Sequence, residues 1–254
     1  MSWLEKHTLQ DGEEHSFETP VGRLEVLWRD GQLHYLRRDL DGGEAMRRTM
    51  IPRLVNSKST RSKLPCALLP IYPDRPVVFT VDGHLAVPPG CKAFFCFRMP
   101  IQFGLHLGVR RILMEPLAID TPKNTWWGEN HRGVLCYGVV SAPYLKIPEL
   151  LDALGPGEAL VPVVYENGRS ESDRVERCLV STRELDLYTD TQGRLIFEVL
   201  RLIETDQQQE PRSRPRLPRE LASGAEKLLD APNRKLTLFE RVKGISLTGG
   251  GNGR

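Results

Sequence analysis

The residues best suited to chemistry lie in one stretch, Lys123-Asn-Thr-Trp-Trp-Gly-Glu-Asn-His-Arg-Gly133. Successive side chains of a strand face opposite sides, so Trp126 and Trp127 cannot both enter one core. One of them is therefore expected at a surface. Beside them Glu129, His131 and Arg132, on a glycine-bounded loop, could hold an anion, a sugar or the aromatic edge of a partner. The competing reading is a structural loop whose tryptophans plug the end of a β-sandwich. Loops on a rigid β scaffold are where binding function concentrates, which makes Trp126, Trp127, Glu129, His131 and Arg132 the candidate site for a small ligand or protein partner.

Other groups offer less. His84, His106 and His131 have no short ligand spacing, so a metal or hydrolase site would need them to converge in the fold, together with nearby acids. No GxSxG, HExxH or paired-acid motif occurs, and no catalytic residue, metal or cofactor is assigned. Phe103-Gly-Leu-His-Leu-Gly108 lacks the lysine and Ser/Thr of a phosphate loop and reads as a strand with close backbone approach. Five cysteines form an odd set without a CxxC pair, and four sit inside apolar runs, as reduced core residues do.

From Pro211 to Arg254 ten Lys and Arg face four acids in a chain of net charge +2, so the body is acidic and the tail basic. Arg212, Arg214, Arg216 and Arg219 are thus an alternative, nucleic-acid-binding set, set against a merely solvated extension. The segment Met1–Pro20 lacks a secretory apolar stretch, and no apolar run approaches the roughly 20 residues of a membrane helix. A cytoplasmic protein without a membrane span is expected.

The elements that must position these residues are short strands. Val21–Trp28 alternates, Arg29-Asp-Gly-Gln32 turns and Leu33–Leu36 returns, which is a hairpin signature. Thr49–Val55 could add a strand within an otherwise patternless basic stretch. Pro65, Pro70, Pro73 and Pro76 fall too close together for a helix or a central strand. Strands follow at Val77–Val81, Leu85–Val87, Ala93–Met99, Val109–Leu113, Pro116–Ile119, Val134–Val140, Ala159–Tyr165 and Arg174–Val180, then a hairpin from Asp186–Tyr188 to Arg194–Glu204. Two helices are expected, Lys146–Leu154 and Arg219–Leu229. The fold class is all-β: an antiparallel β-sandwich or partly open barrel over residues 1–206, with a linker and basic tail carrying a short helix over 207–254.

The order of Pro70–Pro76, Val87–Gly90, Phe94–Pro100, Trp126–Tyr137, Arg174–Val180 and Leu185–Tyr188 resembles the family catalogued as domain of unknown function 432, found in archaea and bacteria. The resemblance spans roughly Glu18 to Glu204 and leaves the basic tail outside. It implies an all-β fold. Because some members are joined to small-conductance mechanosensitive channel domains, it also implies an accessory or sensory module beside a membrane partner, with no catalytic role to carry over. No channel segment is expected within these residues. A non-enzymatic binding or regulatory module is the leading functional expectation.

Overall fold

A computed structural model of the protein describes residues 6–19, 22–39, 41–50, 63–83, 85–108, 112–117, 122–128, 133–143, 146–155, 157–205, 209–212, 217–222 and 224–232. Its strands are β1 (Lys6–Gln10), β2 (Glu14–Thr19), β3 (Gly22–Arg29), β4 (Gln32–Arg38), β5 (Glu44–Met50), β6 (Lys63–Ile71), β7 (Val77–Val81), β8 (Ala86–Val87), β9 (Lys92–Pro100), β10 (Gln102–Leu107) and β11 (Ile112–Leu117). They continue with β12 (Lys123–Trp127), β13 (Val134–Ser141), β14 (Glu158–Asn167), β15 (Asp173–Arg174), β16 (Arg177–Val180), β17 (Leu187–Thr189), β18 (Leu195–Phe197), β19 (Leu200–Glu204), β20 (Gln209–Arg212) and β21 (Glu226–Leu229). The helices are α1 (Ile147–Ala153) and α2 (Arg219–Ala222). The protein is all-β, as its turn-punctuated sequence requires, and it divides into two compact units, each drawn from two stretches of chain.

The first unit combines residues 1–71 and 101–120. One sheet is the meander β2-β3-β4-β5, and the other has the order β1-β6-β10-β11. The Asp30-Gly31 pair, both at positive φ, closes the β3–β4 hairpin in the register Arg29 opposite Gln32, because that backbone twist matches the twist of the paired strands. Alternation in β3 puts Leu24, Val26 and Trp28 in the core and Arg23 and Arg29 in solvent. Burying each large apolar side chain contributes roughly 1.5–3 kcal/mol. A Cβ on Gly22 would collide with the Arg38 carbonyl, so glycine is required there.

Contrary to expectation, β6 carries Pro65 and Pro70 and is an interior strand. β10 pairs with Cys66–Ile71 and β1 with Lys63–Ala67, so the prolines sit towards the two ends of the strand, Pro65 opposite Thr8 of β1 and Pro70 opposite Phe103 of β10, and the Pro65 carbonyl still accepts from the Gly108 N–H at 2.7 Å. The strand expected near Thr49–Val55 is instead β5, Glu44–Met50, and residues 51–62 lie outside the described part. The runs Val109–Leu113 and Pro116–Ile119 are represented by the single strand β11.

The second unit combines residues 72–100 and 121–254. Its large sheet is organised by β14, which pairs antiparallel with β9 along its length from Glu158 to Glu166. On its other side β14 runs parallel first to β18 at Ala159–Leu160 and then to β19 at Val163–Asn167. Pro162 falls in the gap between those two partners. The smaller sheet has the order β12-β13-β7-β16, with β7 and β13 parallel. The Phe79 ring of β7 stacks on Phe97 of β9 with centroids 4.5 Å apart, both rings fully buried, so the two sheets meet face to face as a sandwich. On the other face of β9, α1 buries Ile147, Leu150 and Leu151 against Cys96, Leu160 and Ile196.

Within the expected strand Leu85–Val87, β8 pairs with β15. The helix expected over Arg219–Leu229 stops at Ala222, and after Gly224, at φ 87°, the chain extends as β21 beside β17. Within residues 207–254, β20 and β21 both add to the large sheet. Among the described residues no helix is long and apolar enough to cross a membrane.

Candidate functional site

The two tryptophans end β12, where Trp126 pairs with Leu135 and Trp127 with Val134 of β13. They part as strand alternation demands. Trp126 is exposed, at 45 %, while Trp127 is half-buried and packs with Val134 on Val78, Cys136 and Leu179. The Arg177 guanidinium lies 5.5 Å over the Trp127 ring and donates through Nη2 to the Trp126 carbonyl at 2.7 Å. Ring and carbonyl together fix a charge that would otherwise sweep through many rotamers.

Beside Trp127 opens a cleft of about 500 Å³, within the range of small-ligand sites. The turn that carries its floor is held by Asn167, the last residue of β14, whose side chain is fully buried behind the lining. The Asn167 amide donates to the carbonyls of Val87 (2.7 Å) and Glu171 (2.8 Å), and its Oδ1 accepts from the backbone N–H of Arg169 at 2.9 Å. All three bonds clamp the turn that follows β14. Arg169 then spreads over the floor, donating to Glu204 at 2.7 Å, to Asp173 at 3.3 Å and to the Thr205 carbonyl at 3.4 Å. The Tyr165 hydroxyl donates to the second Asp173 oxygen. Arg174, Glu176 and Arg177 stand at the mouth.

Electrostatics argues against Tyr165 or Cys178 as a nucleophile. Burial, then the bond to Asp173, pushes the Tyr165 hydroxyl far above the ordinary phenol range. Burial, reinforced by Glu204 and Asp173, pushes the Cys178 thiol up to about 12. Both stay protonated at neutral pH, and a thiol is reactive as its thiolate. A rigid, hydrogen-bonded floor under an aromatic wall can bind and orient a ligand.

Of the residues predicted from sequence, Trp127 lines this cleft, whereas Trp126 is not among its lining residues. Glu129, His131 and Arg132 lie outside the described residues, as do Arg214 and Arg216. Arg212 sits in β20 opposite Arg201, and Arg219 opens α2. His84 also lies outside the described residues, and the His106 Nδ1 contacts the Gly104 carbonyl at 2.9 Å. Among the described residues no three His, Cys, Asp or Glu side chains are grouped as metal ligands. Tyr165, Asn167, Arg169, Asp173, Arg177 and Glu204 escaped sequence reading. Their one local signal was Glu166-Asn-Gly168, which reads as a strand end and is also the hinge of the floor.

A smaller hollow of about 260 Å³ lies on the first unit, lined by Leu27, His34, Leu36, Arg47 and Thr49 among others. Its polar groups serve one another: His34 Nδ1 contacts Thr49 Oγ1 at 2.9 Å and Arg47 is paired with Glu44. The larger cleft is therefore the candidate site.

Comparison with known proteins adds a family and no activity. The family described as "Protein of unknown function (DUF432)" matches residues 3–241, which takes in most of the basic tail that the sequence resemblance had left out. No curated protein and no solved structure matches the chain.

Proposed function

Because the chain belongs to DUF432, a family of proteins of unknown function, its role has to come from its own geometry, and we propose that it is a non-enzymatic binding module whose site is the cleft walled by Trp127. One observation carries this: the cleft floor is immobilised by the buried Asn167, while the aromatic wall beside it is left only half covered. Preorganised polar groups beside an aromatic surface lower the ordering cost of binding. The Tyr165 hydroxyl and both Asp173 oxygens are engaged with one another and with Arg169, which supports a floor that positions a ligand. A regulatory or accessory role beside a membrane or signalling partner fits a module that senses a ligand and leaves it unchanged.

The test is a thermal-shift panel of anionic, cationic and neutral small molecules on the wild-type protein, Trp127→Ala and Trp127→Phe. A ligand at about 100 times its Kd stabilises the folded state by ~2.7 kcal/mol, a rise of roughly 5–10 °C. At least one compound is expected to raise the melting temperature of wild type and Trp127→Phe and not of Trp127→Ala. A panel that leaves the wild type unmoved, or acts equally on Trp127→Ala, overturns the assignment.

A further inference from the structure

Taking the cleft to be a binding site as argued above, we propose that Arg174 and Arg177 form a two-guanidinium receptor at its mouth for an oxyanion, a phosphoryl or carboxylate group on a small ligand. At the floor, the Arg169 guanidinium is spent on Asp173, Glu204 and the Thr205 carbonyl, and both Asp173 oxygens are occupied, one by Arg169 and one by Tyr165. Arg169 therefore has little left to offer, and the floor gives an arriving anion no reason to descend.

The mouth differs. Among the described residues Arg177 spends one of its five N–H donors, on the Trp126 carbonyl, and its ring partner is Trp127. Arg174, more than half exposed, has one ionic neighbour among the described residues, Glu176 at 3.9 Å, beyond hydrogen-bond reach. Among the described residues, two guanidinium forks thus keep most of their donors open at a mouth where one carboxylate stands, Glu176, itself largely exposed. A fork fixed by an aromatic ring and a carbonyl loses little entropy on engaging an oxyanion, and such charge-assisted pairs are short and strong. The backbone also holds the two arginines in place. Arg174 ends β15 opposite Ala86, and Arg177 begins β16 opposite Thr80.

The experiment is calorimetric titration of the full-length protein with inorganic phosphate, pyrophosphate and citrate, alongside spermidine as a cation and glucose as a neutral control. The phosphate and citrate arms separate a phosphoryl from a carboxylate source. Binding of at least one oxyanion is expected, weakening as ionic strength rises. Arg174→Gln and Arg177→Gln should each weaken it by about tenfold or more, the value of one charge-assisted bond. Arg177→Lys keeps the charge without the fork and should fall between. Both arginines are surface residues, so the variants are expected to fold, and circular dichroism checks it. Oxyanion binding unchanged in Arg174→Gln/Arg177→Gln overturns the proposal. Spermidine or glucose binding that needs Trp127, with no oxyanion bound, overturns it while the cleft remains a binding site. No binding in any arm, together with a silent thermal-shift panel, removes both.

Discussion

Replacing Asn167 by alanine removes three hydrogen bonds from a side chain with no solvent access, to the Val87 and Glu171 carbonyls and from the Arg169 N–H. Each such bond is worth about 1 kcal/mol net, and a buried group left without its partner costs ~1–3 kcal/mol. The Val87 carbonyl belongs to a residue at 1 % exposure, so water cannot readily replace the lost donor. The expected loss is about 3 kcal/mol. In a protein of this size that is a fall of roughly 6–12 °C in Tm. Asn167→Asp sharpens the test. It keeps an acceptor for the Arg169 N–H and turns the amide donor into an oxygen facing two carbonyls, so at neutral pH it should destabilise at least as much as alanine. Urea unfolding and scanning calorimetry measure both variants. A loss below about 1 kcal/mol for Asn167→Ala, or an Asn167→Asp variant as stable as wild type, would refute the claim that this side chain builds the cleft floor.

Two further outcomes follow from the described geometry. Cys66 and Cys178 are pushed up to about 12, Cys66 by burial and then Glu13 and Cys178 by burial and then Glu204 and Asp173, while Cys96 and Cys136 are also buried and Cys91 is exposed. A thiol reagent at pH 8 should therefore label one cysteine rapidly in the folded protein and five after unfolding; rapid labelling of two or more in the native state would contradict the buried assignments. Burial pushes the Asp190 carboxyl up, yet bonds from the backbone N–H and guanidinium of Arg194 and from the Gln192 N–H outweigh it and hold the group below the usual carboxylate range. A folded value below the unfolded one stabilises above about pH 4 and is lost as pH falls through the folded value. Asp190→Asn should accordingly be less stable than wild type at pH 7, with the difference closing in acid. A pH-independent difference would assign the loss to something other than charge.

Local chemistry decided how much was legible in the sequence. The β3–β4 hairpin was readable because alternation and an Asp-Gly pair act over a dozen neighbouring residues. So was α1, where Pro148 falls in the first turn and a Gly-Pro-Gly stretch follows. The interior place of β6 was not readable, since it comes from pairing with β1 and β10, segments distant along the chain. Nor was β5, whose charged, exposed residues carry no alternation and which is held by pairing with β4. At the site, strand alternation alone predicted that Trp126 and Trp127 would part. It could not supply the floor, because Arg169 meets Glu204 across 35 intervening steps of chain, through the parallel pairing of β14 with β19.

The claim on which the rest depends is that ligand meets protein at the Trp127 cleft. Titrating ¹⁵N-labelled protein with pyrophosphate and following the indole and backbone N–H resonances tests it most directly. Saturable shifts are predicted at the Trp127 indole, at Gly128 and through Arg174–Arg177, with the buried Trp28 indole of the first unit unmoved. Shifts that spare these residues and gather on β3–β5 would contradict it.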